Sequence, residues 1–426
     1  MATISSDPPR QSFSIGMLIN DTRYRSYTFQ FIALVAVVLF FGWLISNAIA
    51  NLEDLGQDIS YQFLGEPAGY DINQQPIPFD SQDTHLRAAI VGLLNTLIVA
   101  VLGCITATLL GVTAGVLRLS KNWLVAKLMS VYVEAFRNVP VLIWILIIFG
   151  ITTNVFPQPR DFRGDEPAAS MLFDAVAFTN RGVYVPMPYF TNGIGAPTEL
   201  AEGAEGTVAA ASSGLNWLLV LGVLIASFIG ARIVKRRADA TQEATGERPT
   251  TWPVTLAIWV VPIVALLFVL GLSWDFPELR GFNFQGGLNI RGSLIGLWFA
   301  LAIYTGAFIA ENVRAGIQAV SGGQTEAAAS LGMRPSRIMN LVVLPQALRI
   351  IIPPLISQYL NLTKNSSLAI AVGYMDITGT LGGITLNQTG RAIEAVLLLM
   401  LFYLIISLTI SAVMNVYNNS VRLKER

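Results

Sequence analysis

The sequence predicts an all-α, polytopic membrane protein with about eight transmembrane helices. Of the 426 residues, 53% are hydrophobic and only 13% are charged, and the mean hydropathy is +0.58. The apolar residues fall into long runs, and a run of about 20 apolar residues can span the hydrocarbon core of a bilayer. The runs are Phe29–Ala50, Ala88–Leu117, Val139–Phe156, Leu215–Val234, Pro253–Ser273, Ser293–Gln318, Ile352–Val372 and Ala392–Tyr417.

The distribution of positive charge predicts the orientation of these spans. With the N-terminus inside, the inner segments carry 19 of the 27 Lys and Arg residues and the outer segments carry 7. Because Lys and Arg are enriched in cytoplasmic segments, we expect both termini and the segment 321–350 to be cytoplasmic. The formal net charge is zero, so the composition gives no indication of nucleic-acid binding.

The chain contains few residues suited to catalysis or to metal binding. Cys104 is the single cysteine and lies in an apolar run, which excludes an intrachain disulfide. His85 is the single histidine and lies at the end of a polar loop, where we expect it to be solvated. The sequence has no glycine-rich loop of the kind that cradles a nucleotide phosphate. We therefore expect no enzymatic step, no metal site and no cofactor bound by this chain.

The segment 321–350 is more polar than its surroundings and predicts a helix–turn–helix between two spans. Residues Gln324 to Leu331 favour a helix because they include three consecutive alanines. Gly332 is suited to ending that helix, and Pro335 is suited to the first turn of a second short helix. A rigid projection of this kind can transmit motion to a partner.

The residue spacing in this segment resembles the EAA loop of the permeases of ABC importers. The matching residues are Glu326, Ala327, Ala328, Gly332, Leu344 and Pro345, with Val342 where the family usually has Ile. The resemblance implies that the loop couples the chain to a separate ATP-binding subunit. From the residues alone, an amphipathic connector on the membrane surface is the alternative.

Two parts of the chain, 88–156 and 293–426, resemble the core of polar amino-acid ABC permeases. The resemblance implies a type I ABC importer permease fold with two additions. Residues 1–87 add a cytoplasmic tail, a first transmembrane helix and an outer loop, and residues 157–292 add a long periplasmic loop and two transmembrane helices. The stretches that carry the resemblance are Leu94–Leu97, Glu134–Pro140 and Gly306–Arg314.

Two pairs of charged residues stand at helix ends that we expect on the inner side. Glu134 and Arg137 are three residues apart, as are Glu311 and Arg314, so each pair can meet on one helix face. Paired charges that stabilise a helix end or a subunit contact are one interpretation. A role in gating is the other.

Lys364 lies within an apolar run and is followed by Asn365, Ser366 and Ser367. If its helix starts near Pro353, Lys364 lies roughly 17 Å along it, near the midplane of the bilayer. An ammonium group at that depth is costly unless it is paired or faces a polar cavity. The stretch resembles the Lys-Asp-Thr-Ser-Leu stretch that borders the substrate path in the family, with Asn in place of Asp, which would favour acidic or neutral amino acids. A lysine that only caps carbonyl groups of an unwound helix is the alternative.

The chain is identified as a permease subunit of an ATP-driven importer of polar L-amino acids. It most resembles enlarged subunits of bacterial general L-amino-acid or glutamate/glutamine/aspartate/asparagine importers. The resemblance implies a second permease subunit, in a heterodimer rather than a homodimer, two ATP-binding subunits that hold ATP and Mg, a periplasmic amino-acid-binding protein, and the bacterial inner membrane. A secondary transporter driven by an ion gradient is the alternative function, and a scaffold protein is a third.

Overall fold

The computed structural model describes residues 16–54, 56, 58–164, 166–195, 197–199, 209–211 and 214–421. The terminal tails therefore lie largely outside the described residues. Most of the described chain is helical, as expected. The α-helices are α1 Met17–Asn20, α2 Thr22–Asp54, α3 His85–Leu117, α4 Trp123–Asn138, α5 Val141–Val155, α6 Gly214–Thr245, α7 Trp252–Val269, α8 Gly292–Gln318, α9 Gly322–Ser330, α10 Pro335–Ile338, α11 Leu344–Asn365, α12 Leu386–Thr389 and α13 Ala392–Val421.

Shorter elements of other kinds connect these helices. The 3₁₀-helices are Gln62–Gly65, Pro159–Phe162 and Ser366–Val372, and the π-helical segments are Met339–Val343 and Thr378–Thr385. The strands are β1 Ala177–Thr179, β2 Gly182–Val185, β3 Met187–Phe190, β4 Pro197–Glu199, β5 Ala209–Ala211, β6 Leu272–Asp275, β7 Glu278–Arg280, β8 Asn283–Gln285 and β9 Leu288–Arg291.

Seven helical segments in the described residues are long and apolar enough to cross a membrane, and an eighth crossing requires a bent pair. That pair is α4 and α5, which meet at an angle of 109°. The bend lies at Val139 and Pro140, where Val139 has an extended backbone with φ −112° and ψ 135°. A residue before proline is driven out of the helical conformation by the proline ring. The 15-residue α5 alone is shorter than the other candidate spans, so the span expected at Val139–Phe156 requires the helix before it as well.

The chain forms two compact units, which divide between Phe63 and Leu64. The first unit contains α1 and α2. In the second unit, the loop before α3 packs against that helix, because Ala68, Ile72 and Phe79 form one buried cluster with Ala88 and Val91.

His85, which we expected to be solvated, is buried with 4% of its surface exposed. The expectation was wrong because the chain covers this loop end from two sides. The His85 Nδ1 atom lies 3.1 Å from the Thr385 hydroxyl, and the Tyr70 hydroxyl lies 3.0 Å from the same oxygen. His85 is thus the first residue of α3 and part of a polar contact between distant segments.

The core of the second unit is built on the close approach of α3 and α8. The Trp298 indole of α8 donates to the Thr106 hydroxyl of α3 at 3.0 Å, and the later residue Ile309 of α8 contacts the later residue Gly111 of α3. The two helices therefore run in the same direction. A Cβ atom on Gly111 would lie 2.5 Å from the Ile309 Cβ atom and 2.8 Å from the Gly306 carbonyl oxygen. Small residues permit such backbone approach between membrane helices. Helix α11 runs antiparallel to them, with Ile351 against Gly316 and Leu362 against Gly103.

The segment from 157 to 291 contains small antiparallel sheets that the sequence analysis did not anticipate. Strand β2 pairs with β1 and with β9, and β3 pairs with β6, so the flanks of the α6–α7 hairpin are hydrogen-bonded to each other. Strands of three or four residues are too short to show an alternating pattern. Because β9 leads directly into α8, this sheet module is anchored at the beginning of a core helix.

The contact at Gly111 gives a first testable prediction. We expect Gly111→Ala to lower the free energy of unfolding by about 1–3 kcal/mol, because the added methyl group overpacks α3 against α8. Gly150→Ala in α5 is the matched control, since a Cβ atom there meets nothing within 4 Å. Thermal unfolding of the purified permease complex measures both. Equal melting temperatures for Gly111→Ala and wild type would contradict the proposed packing constraint.

Candidate coupling loop and substrate path

The segment 321–350 folds as the helix–turn–helix expected from its sequence. Helix α9 covers Gly322–Ser330, and Gly332 has a φ of +76°. The Gly332 amide donates to the Ala329 carbonyl at 2.9 Å and the Met333 amide donates to the Ala328 carbonyl at 3.3 Å. Left-handed backbone is cheap for glycine alone, which is why a glycine ends this helix. Pro335 is the first residue of α10, also as expected.

A small core holds the two short helices together. It consists of buried Ala328, Ile338 and Val343, with Met333 and Val342 packed against it. The Gln346 side-chain amide donates to the Gln324 side-chain oxygen at 2.7 Å and joins α9 to α11. The loop is therefore a packed unit rather than an extended connector.

The predicted motif residues occupy different environments in this unit. Glu326 and Ala327 are exposed, whereas Ala328 is buried. Leu344 is 41% exposed and begins α11, with Pro345 in its first turn. Exposed leucines accompany them on the surface of the loop, at Leu331 and Leu341. A surface that exposes large apolar side chains beside charged ones is typical of a protein contact.

The expectation that the helix carrying Lys364 starts near Pro353 is wrong. The π-helical segment Met339–Val343 leads straight into α11, which begins at Leu344 and continues through Pro353 and Pro354 to Asn365. Each proline removes one amide from the helix, but the turns on either side remain helical. The second half of the loop, from Pro335, thus forms one continuous helical path with α11.

Glu311 is the centre of a charge cluster at the same end of the core. Its carboxylate pairs with Arg314, as predicted, and also with Arg118 at the end of α3. The Arg137 Nη1 atom lies 3.9 Å from the Glu311 carboxylate, and the Arg137 guanidinium lies 5.2 Å from the centroid of the Phe308 ring. One carboxylate therefore joins α3, α4 and α8 just before the chain enters the loop.

The predicted pair of Glu134 and Arg137 does not form. Among the described residues, no ion pair joins Glu134 to Arg137, and Glu134 is exposed. The reason is that Arg137 faces α8, where Phe308 and Glu311 are available. The sequence spacing was correct for a contact within one helix, but it carried no information about the neighbouring helix.

Lys364 lies near the middle of the helical core and is exposed on the surface of this chain. Its depth follows from its neighbours, because Leu362 packs on Gly103, in the middle of α3. Asn365 is half-buried beside it and ends α11. In the part of the chain that the structure describes, the Lys364 ammonium has no ion-pair partner.

The two serines that follow begin the 3₁₀-helix that continues α11, and their hydroxyl groups bond to carbonyls of the last turn of α11. The Ser366 hydroxyl donates to the Thr363 carbonyl at 2.9 Å, and the Ser367 hydroxyl donates to the Lys364 carbonyl at 2.8 Å. Ser366 is fully buried, so it does not share the exposed surface with Lys364. Of the four residues predicted for a substrate path, Ser366 is internal, and the other three are exposed or half-buried.

Sequence reasoning missed Asp376, which is fully buried. Its carboxylate accepts hydrogen bonds from the Gly379 amide at 2.9 Å and from the Tyr403 hydroxyl at 3.2 Å. It also lies 3.4 Å from the Ser366 hydroxyl, whose single proton it shares with the Thr363 carbonyl. It therefore ties the 3₁₀-helix after Lys364 to the π-helical segment and to α13. The available signal was an isolated carboxylate in an otherwise apolar stretch.

Helix α3 supports the same broken segment. The Thr96 hydroxyl accepts from the Ile377 amide at 3.1 Å. The Asn95 side-chain amide donates to the Met375 carbonyl at 2.9 Å and to the Gln74 carbonyl at 2.9 Å. The bonds to Ile377 and Met375 satisfy backbone groups of the irregular segment that follows Gly373, as a membrane protein requires.

A bundle of membrane helices with an irregular polar segment at mid-depth and a protruding helical loop at one end defines a membrane permease. A family model described as "Binding-protein-dependent transport system inner membrane component" matches residues 251–423. The chain is 56% identical over 432 residues to the "Glutamate/glutamine/aspartate/asparagine transport system permease protein BztB" of Rhodobacter capsulatus, which covers 99% of this chain and 100% of that protein. It is 41% identical over 411 residues to the "General L-amino acid transport system permease protein AapQ" of Rhizobium johnstonii, covering 95% and 94%.

The chain therefore belongs to the family of binding-protein-dependent permeases of amino-acid ABC importers. It is a multi-pass component of the inner membrane and a permease subunit, not the ATPase. The expected family is confirmed, and the alternative of an ion-gradient-driven transporter is set aside. A shorter relative, the "Probable glutamine ABC transporter permease protein GlnM" of Bacillus subtilis, matches only 42% of this chain but 79% of its own length.

The charge cluster gives a second prediction. We expect Glu311→Gln to lower the free energy of unfolding by about 1–2 kcal/mol, because it leaves the largely buried Arg118 without its carboxylate. Glu134→Gln, on the neighbouring helix and without an ion pair in the described residues, is the control and should be neutral. Thermal unfolding of the purified complex at low and high salt compares them. If Glu134→Gln destabilised the complex as much as Glu311→Gln does, the cluster would have no special role in stability.

Proposed function

We propose that this permease carries polar L-amino acids, with glutamate, glutamine, aspartate and asparagine as its substrates. The names of the two relatives, one specific for these four amino acids and one general, support this substrate class. The single observation that carries the proposal is the exposed Lys364 near the middle of the helical core.

Lys364 is suited to a substrate carboxylate. A lysine ammonium facing lipid at the membrane centre is costly, so this side chain faces a polar surface in the assembled transporter. Every amino-acid substrate brings an α-carboxylate, and glutamate and aspartate bring a second one. An ammonium–carboxylate pair is a strong, charge-assisted interaction. Asn365 keeps the neighbouring position neutral, which favours acidic and neutral substrates over cationic ones.

The loop 321–350 couples this subunit to an ATPase in this proposal. Helices α9 and α10 project from the core as a packed unit with Glu326 and Leu331 exposed, and they seat in a groove of an ATP-binding subunit. That subunit, not this chain, holds ATP and Mg. Motion of the loop reaches the path because the π-helical segment and α11 lead from it to Lys364.

The assembly contains a second permease subunit, a different chain rather than a second copy, and two ATP-binding subunits. An extracytoplasmic amino-acid-binding protein delivers the substrate, in agreement with the description of the family. Both termini and the loop lie in the cytoplasm, which the charge distribution of 19 inner to 7 outer Lys and Arg residues supports.

Gly332→Asp tests the coupling. A side chain at a φ of +76° strains the end of α9 by about 1 kcal/mol or more and tilts the helix in its socket. We expect an inserted permease that no longer supports uptake, with the ATP-binding subunits lost or their hydrolysis uncoupled from substrate. ATPase-subunit retention and substrate-stimulated hydrolysis in purified complexes are the measurements.

Gly390→Asp is the matched control for that substitution. Gly390 also ends a short helix with positive φ, at +68°, and a Cβ atom there also meets nothing within 4 Å. It lies at the beginning of α13, far along the chain from the loop. Normal retention, hydrolysis and uptake in Gly332→Asp would show that the loop is only a connector.

Lys364→Met tests the substrate path. We expect uptake of L-glutamate in proteoliposomes to fall by about tenfold or more, and uptake of L-glutamine to fall less, because glutamate brings a second carboxylate. Lys364→Arg should retain part of the activity. Lys235→Met, which removes an exposed lysine from α6, serves as the control. Normal glutamate uptake by Lys364→Met, or loss of assembly, would mean that Lys364 is structural.

A further inference from the structure

The sheet module between α5 and α8 carries two exposed aromatic turns on one small core. Two turns emerge from this core, one between Met171 and Ala177 and the other between Leu279 and Phe284. The centroid of the Phe284 ring lies 5.2 Å from that of Phe162 and 5.3 Å from that of Tyr184, and this packing fixes the base of both turns. The core consists of Ala177, Tyr184 and Phe284, with Phe162, Met171 and Leu279 packed against them.

The first turn contains an unusual backbone. Phe173 and Asp174 have φ values of 54° and 55°, and they are the only non-glycine residues with positive φ among those described. The turn is closed by hydrogen bonds from the Ala175 amide to the Leu172 carbonyl at 3.1 Å and from the Leu172 amide to the Val176 carbonyl at 2.8 Å. Left-handed backbone costs a residue with a Cβ atom roughly 1–2 kcal/mol. The strained turn presents Phe173 with 89% of its surface exposed.

The second turn joins β7 to β8 and presents Phe282, which is 87% exposed. The Arg163 guanidinium lies 5.6 Å from the centroid of the Phe282 ring, and the Arg181 Nη1 atom donates to the Phe282 carbonyl at 3.4 Å. Two arginines from different loops thus hold this turn. Phe173 and Phe282 are the two most exposed large apolar side chains in the described residues.

We infer that these two aromatic turns are the docking surface for the extracytoplasmic amino-acid-binding protein. The inference rests on the proposed function and on its orientation, which puts the module outside the membrane. Aromatic residues and arginine surrounded by polar groups are the composition of energetically dominant contacts between proteins. A residue other than glycine that is held with positive φ and presents an exposed aromatic ring is a reason to look for a function.

A soluble protein fits these turns better than the lipid surface does. Asp174 shares the turn with Phe173, so insertion of the phenylalanine would bring a carboxylate into the headgroup region. Glu278 and Arg280 form an ion pair at 2.7 Å beside the second turn. Membrane-interface anchors are usually tryptophan and tyrosine, and neither is at the tip of these turns.

The module is also connected to the substrate path. Strand β2 pairs with β9, which leads into α8, and the Arg291 amide at the end of β9 donates to the Gln74 side chain at 3.3 Å. The Gln74 carbonyl accepts from Asn95, which also donates to Met375 in the broken segment. A protein docked on the turns would therefore contact a module that is hydrogen-bonded to the proposed substrate path.

The test uses the full complex of permease and ATP-binding subunits in nanodiscs and the purified amino-acid-binding protein of the same transport system, loaded with L-glutamate. We expect Phe173→Asn and Phe282→Ala each to weaken binding by about tenfold or more, as for a central aromatic contact. Phe173→Trp should retain binding. ATP hydrolysis without the binding protein and the thermal stability of the complex should not change, because both side chains are exposed.

Phe268→Ala is the matched control, since Phe268 is 85% exposed but lies in the last turn of α7 and not at either aromatic turn. Unchanged binding in the Phe173→Asn, Phe282→Ala double variant would overturn the inference. It would also be overturned if a fluorophore at residue 173 were quenched by brominated lipid and unaffected by the binding protein, because the turns would then contact the membrane. If the binding protein fails to stimulate the wild-type complex, the proposed function itself fails. Equal stimulation of wild type and double variant refutes only the docking surface.

Discussion

Every backbone polar group inside a membrane must be satisfied by the protein itself. This constraint is most demanding after Asn365, where α11 passes into a 3₁₀-helix and the chain then leaves helical geometry at Gly373. The hydroxyl groups of Ser366 and Ser367 bond to carbonyls one turn earlier. Asp376 accepts the Gly379 amide, and Thr96 accepts the Ile377 amide. Helix α3 supplies one of these partners, Thr96, and the segment itself supplies the others. Lys364 is exposed at the point where the regular α-helix ends.

The same constraint bears on how the coupling loop and the irregular segment after α11 can influence each other. The coupling loop continues through a π-helical segment into α11, and α11 ends at Asn365. At the loop end, Glu311 joins three helices, so α8 and α3 form a fixed frame beside α11. A continuous helix between the coupling loop and an irregular polar segment gives a displacement of the loop a direct route to that segment.

The sequence predicted the elements that rest on local chemistry. The helix stop at Gly332, the start at Pro335 and the Glu311–Arg314 pair each depend on residues close in the chain, and each is present. What failed depends on distant residues. Arg118 reaches Glu311 from another helix, His85 is covered by a segment 300 residues away, and Asp376 is satisfied by groups from three elements. The strands were too short to leave a periodic signal.

The close contact between α3 and α8 has a consequence for biogenesis. Gly111 meets Ile309, so a groove on α3 enters the membrane long before its occupant has been translated. At about 5–20 residues per second, the ribosome needs roughly ten to forty seconds to synthesise the chain between them. During that interval Arg118 lacks the carboxylate of Glu311, and the glycine face of α3 is open to lipid or to the insertion machinery. The order of synthesis therefore requires α3 to remain stable in the bilayer as a partly unpartnered helix.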